Sequence, residues 1–204
     1  MNSELIKKEL DLLFPNPICE LVYSKDYELV LSVMLSAQTK DSRVNEVTKD
    51  LYKKYNTLEK LNTLSIEEIE KSISSIGLYK TKAKNFKTIV SELCKKGYVP
   101  NDRDYLESLP GVGRKTTSVV LSNLFNEPNF AVDTHVHRVS RLLGISEVND
   151  DVLVTEEKLK KYFNVDDWNR VNSQMVLFGR YYCMSKKPQC NNCKLKSICT
   201  KKEC

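Results

Sequence analysis

The sequence predicts an all-α protein. Apolar residues recur at helical spacing along most of the chain, no segment sustains the period-two alternation of a strand, and glycines and capping residues punctuate the helical stretches. Residues 1–13 are charged and helical in pattern, with Leu5, Ile6, Leu10 and Leu13 as the apolar positions. Leu29, Val30, Val33, Met34 and Ala37 mark the next helix. Ser65-Ile66-Glu67-Glu68 is a capping box, Ser at the N-cap and Glu three residues on. It opens a helix with Ile66, Ile69, Ile73 and Ile76 on one face, stopped by Gly77. Ala83, Phe86, Val90 and Leu93 mark another, ended by Gly97. A short helix from about Asp102 to Ser108 precedes an apolar one containing Val119, Val120, Leu121, Leu124 and Phe125. Val136, Val139 and Leu143 mark a helix stopped by Gly144, and Trp168, Val171, Met175, Phe178 and Tyr182 mark a long one that runs into Cys183.

A chain of 204 residues makes one large domain or two small ones. It buries about 70% of its unfolded surface, so it needs no metal merely to own a core. The start lacks the unbroken apolar stretch of a secretory signal. No apolar run approaches the ~18 residues of a membrane span. With seven cysteines, an odd number, a cytoplasmic location with reduced thiols is expected. The net charge of +5 is weak evidence for nucleic acid by itself. Lys80, Lys82, Lys84 and Lys87 crowd one stretch, and Lys186, Lys187, Lys194, Lys196, Lys201 and Lys202 crowd the C-terminal cysteines. Each run alone reads as a solvated face.

Cys183, Cys190, Cys193 and Cys199 follow one another with gaps of six, two and five residues and no histidine among them. Structural zinc sites usually present two close pairs across a longer loop. Here there is one close pair with a single cysteine on each side. Four thiolates in this spacing favour one [4Fe-4S] cluster, with zinc, a disulfide or free thiols as the other readings. Cys19, Cys94 and Cys204 read as unpaired thiols, the first two in or near the core.

Leu109-Pro110-Gly111-Val112-Gly113-Arg114-Lys115 joins two helices by a tight hairpin. Gly111 and Gly113 permit positive φ and close backbone approach. Val112 between them can pack inward and pin the turn. The hairpin amides and the next helix N-terminus then point outward together, a phosphate site that reads a nucleic-acid backbone without regard to sequence. Lys115 lies in the first turn of that helix, where the macrodipole disfavours a cation. The same field lowers a lysine pKa, and a neutral lysine is a nucleophile that forms Schiff bases. A lysine that only touches phosphate is the plainer reading.

Asp133, in Val132-Asp133-Thr134-His135, stands where an N-cap stands. It could also stabilise a cation or take a proton. His135 and His137 are the only histidines and lack metal-ligand spacing, so DNA-facing or structural roles fit them better.

Together, the Leu109–Thr117 segment, Val132-Asp133-Thr134-His135, the cysteine spacing, Leu35-Ser36-Ala37-Gln38-Thr39 and Ile76-Gly77-Leu78-Tyr79 resemble the endonuclease III family of DNA repair glycosylases, in matching order over about residues 20 to 200. The resemblance implies the helix-hairpin-helix glycosylase fold. A six-helix domain over 18–128 would carry the hairpin, and 1–17 with 129–204 would form a second helical domain carrying the cluster loop, 183–199. Double-stranded DNA with damaged bases or abasic sites would lie across the cleft between them, its target nucleotide flipped out. The implied activity is that of a DNA glycosylase and AP lyase acting on oxidised or ring-damaged pyrimidines. Lys115 would attack the sugar C1′, Asp133 would stabilise the sugar cation and handle protons, and β-elimination would cut the strand 3′ to the lesion. Gly111, Val112, Gly113, Arg114 and His135 are the implied DNA contacts. Gln38 would fill the gap left by the flipped base, and Leu78 would wedge between base steps. The cluster's expected job is to fix the loop from Lys186 to Ser197, so that Lys194 and Lys196 meet phosphates as a preorganised patch. A monomer is the default.

Two other readings stand beside this one. A non-catalytic module would use the hairpin only for phosphate. The adenine-specific branch of the superfamily replaces the hairpin lysine and uses an acid on the early helix, where this chain has Ser32.

Overall fold

The computed structural model describes residues 2–200, and Lys201, Lys202 and Cys204 lie outside the described residues. It is helical, with no strand among the described residues, and no helix among them is long and apolar enough to cross a membrane. The chain divides into two compact units, Cys19–Phe125, and Met1–Ile18 with Asn126–Cys204.

The first unit is built around α2, Asp26–Leu35, whose residues from Tyr27 onward are all buried. A helix apolar on every side can only be a core element. Its start is closed by Glu28, whose carboxylate accepts from the Ser24 amide at 2.7 Å, the Ser24 hydroxyl at 3.0 Å and the Lys25 amide at 3.2 Å. Around it lie α3 (Asp41–Lys54), α4 (Leu58–Asn62), α5 (Ile66–Ser72), α6 (Tyr79–Lys96), α7 (Arg103–Ser108) and α8 (Arg114–Phe125). Helices α3, α6 and α8 pack directly against α2. The capping box of α5 forms as expected, with the Ser65 hydroxyl accepting from Glu68 N and the Glu68 carboxylate accepting from Ser65 N.

Helix α5 does not run on to Gly77. It stops at Ser72, and Ile73 and Ile76 reach the core from a separate turn closed by Ile76 N donating to Ile73 O. The cause is the serine cluster. The hydroxyls of Ser72 and Ser74 bond back to the carbonyls of Glu68 and Lys71 and compete with the helix ladder. Gly97 ends α6 with φ +82°, as its position predicts.

The second unit packs α1 (Asn2–Leu13) with α9 (Thr134–Leu142), α10 (Val152–Tyr162) and α11 (Trp168–Leu177). Ile6, Leu10, Val136, Val139, Val171 and Met175 are fully buried in its core. Polar ties hold α1 to α11. Lys7 donates to Asp167 at 2.8 Å, Gln174 donates to Asp11 at 2.8 Å, and Arg170 pairs with both Asp11 and Asp167. The helix expected to run into Cys183 is α11 followed by one π-helical turn, Phe178–Tyr182. Gly179 explains the close packing there: a Cβ would lie 2.8 Å from the His135 Cβ on α9. Short 3₁₀ turns at Cys190–Asn192 and Lys194–Ile198 complete the described chain.

Candidate active site and nucleic-acid interface

In the first unit the hairpin between α7 and α8 is pinned from below. Leu109 and Val112 are buried, and Val112 N donates to Leu109 O at 3.1 Å. Val112 thus serves the turn through packing and its own satisfied amide. Gly111 sits at φ +78°, and a Cβ on it would fall 2.6 Å from Asn85 Nδ2 on α6 and 3.3 Å from Met34 Cγ on α2. Backbone runs there because no side chain fits. Gly113 has open space around it and leads into Arg114, the first residue of α8. The first amides of α8 have no intrahelical partners, as at any helix start. Gly111, Gly113 and Arg114 are all exposed. Lys115 is exposed in that first turn and makes no hydrogen bond or ion pair among the described residues. No acid stands in the first turn of α8 to offset it.

Gln38 and Leu78 share an unusual backbone. Both adopt left-handed conformations, φ +57° and +59°, and both are exposed, Leu78 at 66%. Such a conformation costs a non-glycine residue about 1–2 kcal/mol. The sequence makes Gly77 the stop of a helix, and Leu78 beside it takes the left-handed position and forms the N-cap of α6. Between the two tips lies a residue that the sequence reading placed on a solvated face. Lys82 is only 5% exposed. Its ammonium donates to Leu35 O at 2.8 Å, Ala37 O at 2.6 Å and Thr39 Oγ1 at 3.0 Å. Burial pulls its pKa down from the ordinary 10.5. The signal was present in the sequence: Lys82 falls on the stripe Ala83, Phe86, Val90 and Leu93, one position before its start. Lys87, from the same run, is also half-buried and donates to the Asn62 carbonyl, whereas Lys80 and Lys84 are exposed.

Ser32 is fully buried and shares a 3.0 Å hydrogen bond with the Tyr52 hydroxyl. Burial raises the Tyr52 pKa, so this pair is a neutral core contact.

In the second unit Asp133 caps α9. Its Oδ1 accepts from His135 N at 2.9 Å and from Val136 N at 2.8 Å. Its Oδ2 has no hydrogen-bond partner among the described residues. His135 is half-buried beside Gly179. His137 Nε2 meets the Asp150 carbonyl at 3.0 Å, a structural contact within the unit.

The four cysteines of the C-terminal loop, with Val139, Leu143, Phe178 and Leu195, line one small, mostly apolar cavity. Burial pushes the Cys193 thiol pKa up, and the neighbouring Cys183 and Cys199 sulfurs add to it while the Leu195 amide opposes it. A bound cation reverses that logic, because sulfurs that repel one another as thiolates are what a metal centre neutralises. The donor set is soft and contains no carboxylate or imidazole, which fits iron–sulfur or zinc chemistry. As they stand, no three such side chains among the described residues are close enough to hold a metal ion. Arg138 ties the loop to α9. It donates to Cys183 O at 2.6 Å and Gly179 O at 2.9 Å. Lys186, Lys187, Lys194 and Lys196 are exposed around the loop.

Residues 31–164 match the family model of the HhH-GPD superfamily base excision DNA repair protein. Endonuclease III of Bacillus subtilis is 46% identical over 189 residues, which cover 92% of this chain and 86% of that protein. Endonuclease III of Escherichia coli K12 is 40% identical over 93% of this chain and 90% of its own. A solved endonuclease III trapped as a covalent intermediate with DNA superposes with a TM-score of 0.91 at 43% identity, over 98% of this chain and 96% of that one. A thermostable thymine-DNA glycosylase shares the fold, with a TM-score of 0.82 at 21% identity. By the family model and by these relatives, the chain belongs to the endonuclease III family of the HhH-GPD superfamily.

Proposed function

We infer that the chain excises damaged pyrimidines from double-stranded DNA with Lys115 as its nucleophile. It is a base excision repair enzyme, a DNA glycosylase with AP lyase activity. The observation that carries the residue assignment is the exposed Lys115, without an ionic partner among the described residues, in the first turn of α8 behind an outward-facing hairpin. Amides of Gly111 and Gly113 and the start of α8 take backbone phosphate, which fixes the register of the DNA without reading sequence. The damaged nucleotide, weakly stacked and paired, leaves the helix at the lowest cost.

The Nζ lone pair of Lys115 attacks C1′. The C1′–N bond breaks, and its electron pair leaves with the base, which takes up a proton. Asp133 supports the positive charge that develops on the sugar, and its unoccupied Oδ2 is suited to proton handling. Loss of the amine proton and opening of the ring give a protonated imine on Lys115. That imine acidifies C2′–H, and removal of the proton expels the 3′ phosphate oxygen by β-elimination. Hydrolysis of the imine returns the lysine. Buried Ser32 provides no acid of the kind the adenine-specific branch uses, which supports the lysine route.

Gln38 enters the space left by the flipped base, and Leu78 wedges the stack beside it. Cys183, Cys190, Cys193 and Cys199 would hold one [4Fe-4S] cluster, which would supply a fixed cross-link that orders the lysine-bearing loop. The soft donor set and shared cavity support that assignment.

The test is covalent trapping. Incubation with a duplex carrying an abasic site or oxidised pyrimidine, followed by borohydride reduction, should link wild type to DNA. Lys115→Ala should give no adduct. Equal trapping by the variant would remove Lys115 as the nucleophile.

A further inference from the structure

We propose that Lys82 is a positioning residue for lesion recognition, presetting Gln38 and Leu78 as one rigid probe. This rests on the reading of those two tips as the groups that enter the duplex. Two independent contacts carry it. Through its side chain, Lys82 grips the loop on both sides of Gln38, at Ala37 O and Thr39 Oγ1, and takes the terminal carbonyl of α2 at Leu35. Through its backbone, Lys82 N donates to Leu78 O at 3.0 Å, a bond that begins α6 directly behind the Leu78 tip. One residue therefore ties down both left-handed tips of this unit.

The residue type fits that task and no simpler one. An ammonium has three donors, and three oxygens receive them. The cation meets the C-terminal end of α2, where the dipole favours it, but sits in the first turn of α6, where the dipole does not. A lysine placed there for the stability of α6 would be placed badly. It is also buried, which penalises its charge unless each donor is satisfied. Left-handed residues other than glycine persist only where surrounding contacts over-determine them. Without the ammonium, the Gln38 loop would lose its tie to the start of α6 that carries Leu78, and each encounter with DNA would have to reorder the two tips relative to each other. A preset tip removes that ordering cost.

Lys82→Met keeps the aliphatic stem and removes the donors. Thr39→Val removes one acceptor with little change of shape and covers the case in which Lys82→Met fails to fold. Lys87→Met is the control: it breaks a lysine-to-carbonyl bond on the same helix at a loop with no tip. Single-turnover excision is measured on an oxidised pyrimidine opposite a normal base, and on the same lesion opposite an abasic analogue that leaves Gln38 nothing to pair with. Lys82→Met should lose about tenfold or more on the first duplex, as expected for hydrogen bonds to a charged group, and much less on the second. Thr39→Val should follow with a smaller loss, Thr39→Ser should restore it, and Lys87→Met should match wild type on both. Combining Lys82→Met with Gln38→Ala should cost little more than Gln38→Ala alone. Equal losses on both duplexes, or full additivity with Gln38→Ala, would reduce Lys82 to a fold-stabilising contact and overturn the proposal. Wild-type excision by Gln38→Ala would instead sink the reading of Gln38 on which it rests. Impaired Gln38→Ala beside unimpaired Lys82→Met and Thr39→Val would sink the clamp alone.

Discussion

Asp133 Oδ1 holds the amide of Val136 at 2.8 Å and, with the same oxygen, that of His135 at 2.9 Å. The cap occupies one oxygen of the carboxylate and leaves the other without a hydrogen-bond partner among the described residues. A single residue can therefore serve both the helix and the reaction, and the two roles come apart under substitution. Asp133→Asn keeps an acceptor at Oδ1 and should hold stability to within about 0.5 kcal/mol, whereas Asp133→Ala should cost about 1 kcal/mol. Both should lose roughly 100-fold or more in base excision, the scale of acid–base and charge stabilisation. Thermal melts beside single-turnover excision separate the effects. Full excision by the Asn variant would leave Asp133 a cap and nothing more.

The lysines of the cysteine loop make a prediction about salt. Lys194 and Lys196 are exposed in the 3₁₀ turn between Cys193 and Cys199. If both meet phosphates, Lys194→Ala with Lys196→Ala should flatten the plot of log affinity against log salt by about 1–2 in slope. Base excision at saturating enzyme should hold. An unchanged slope with weaker binding would return the loop to scaffolding.

Gly111 and Gly113 look alike in sequence and differ in the fold. Gly111 has φ +78° and no room for a Cβ beside Asn85, while Gly113 has neither constraint. Gly111→Ala should lose roughly 1–3 kcal/mol of stability from the left-handed backbone and the clash. Gly113→Ala should melt close to wild type. A loss of DNA affinity in Gly113→Ala without a loss of stability would then report the phosphate contact itself, by filter binding on undamaged duplex. Indistinguishable melts for the two variants would contradict the packing described at Gly111.

The hairpin, the cap and the cysteine grouping are legible in the sequence because their geometry is local. The Gly111–Lys115 hairpin, the Asp133 cap and the four cysteines each lie within a short stretch, and short-range rules of turn, cap and ligand spacing read them. Lys82 was not legible in the same way. Composition placed it in a basic run, although helical periodicity puts it beside Ala83 and Phe86 on the buried stripe. Its partners, Leu35, Ala37 and Thr39, are more than forty residues away. The end of α5 was misread for a related reason. Isoleucine spacing carries the core contact past Ser72, but serine hydroxyls bonding back to carbonyls end the helix first. Left-handed Leu78 was hidden because a glycine precedes it and offered the easier explanation.

The attachment of α1 to α11 gives a pH prediction. Asp167 accepts from Lys7 at 2.8 Å and from Arg170 at 2.7 Å. Lys7, then Arg170, hold its carboxyl below the ordinary 3.8. A carboxyl depressed by folding contributes stability that is complete above the unfolded value and is lost as pH falls through the folded one. Lys7 is the mirror case: Asp167, then Glu4, raise its pKa above 10.5. Its contribution is complete below 10.5 and is lost as pH rises through the folded value. Between those limits this pair adds no slope. Asp167→Asn should therefore lower the melting temperature by a few degrees at pH 7. The gap to wild type should shrink steadily as pH drops below about 3.8, since protonation removes from wild type what the substitution has already removed. Melts of both proteins from pH 7 to pH 2.5 would show it. A gap that stays constant down the acid limb would mean that Asp167 acts through packing rather than charge.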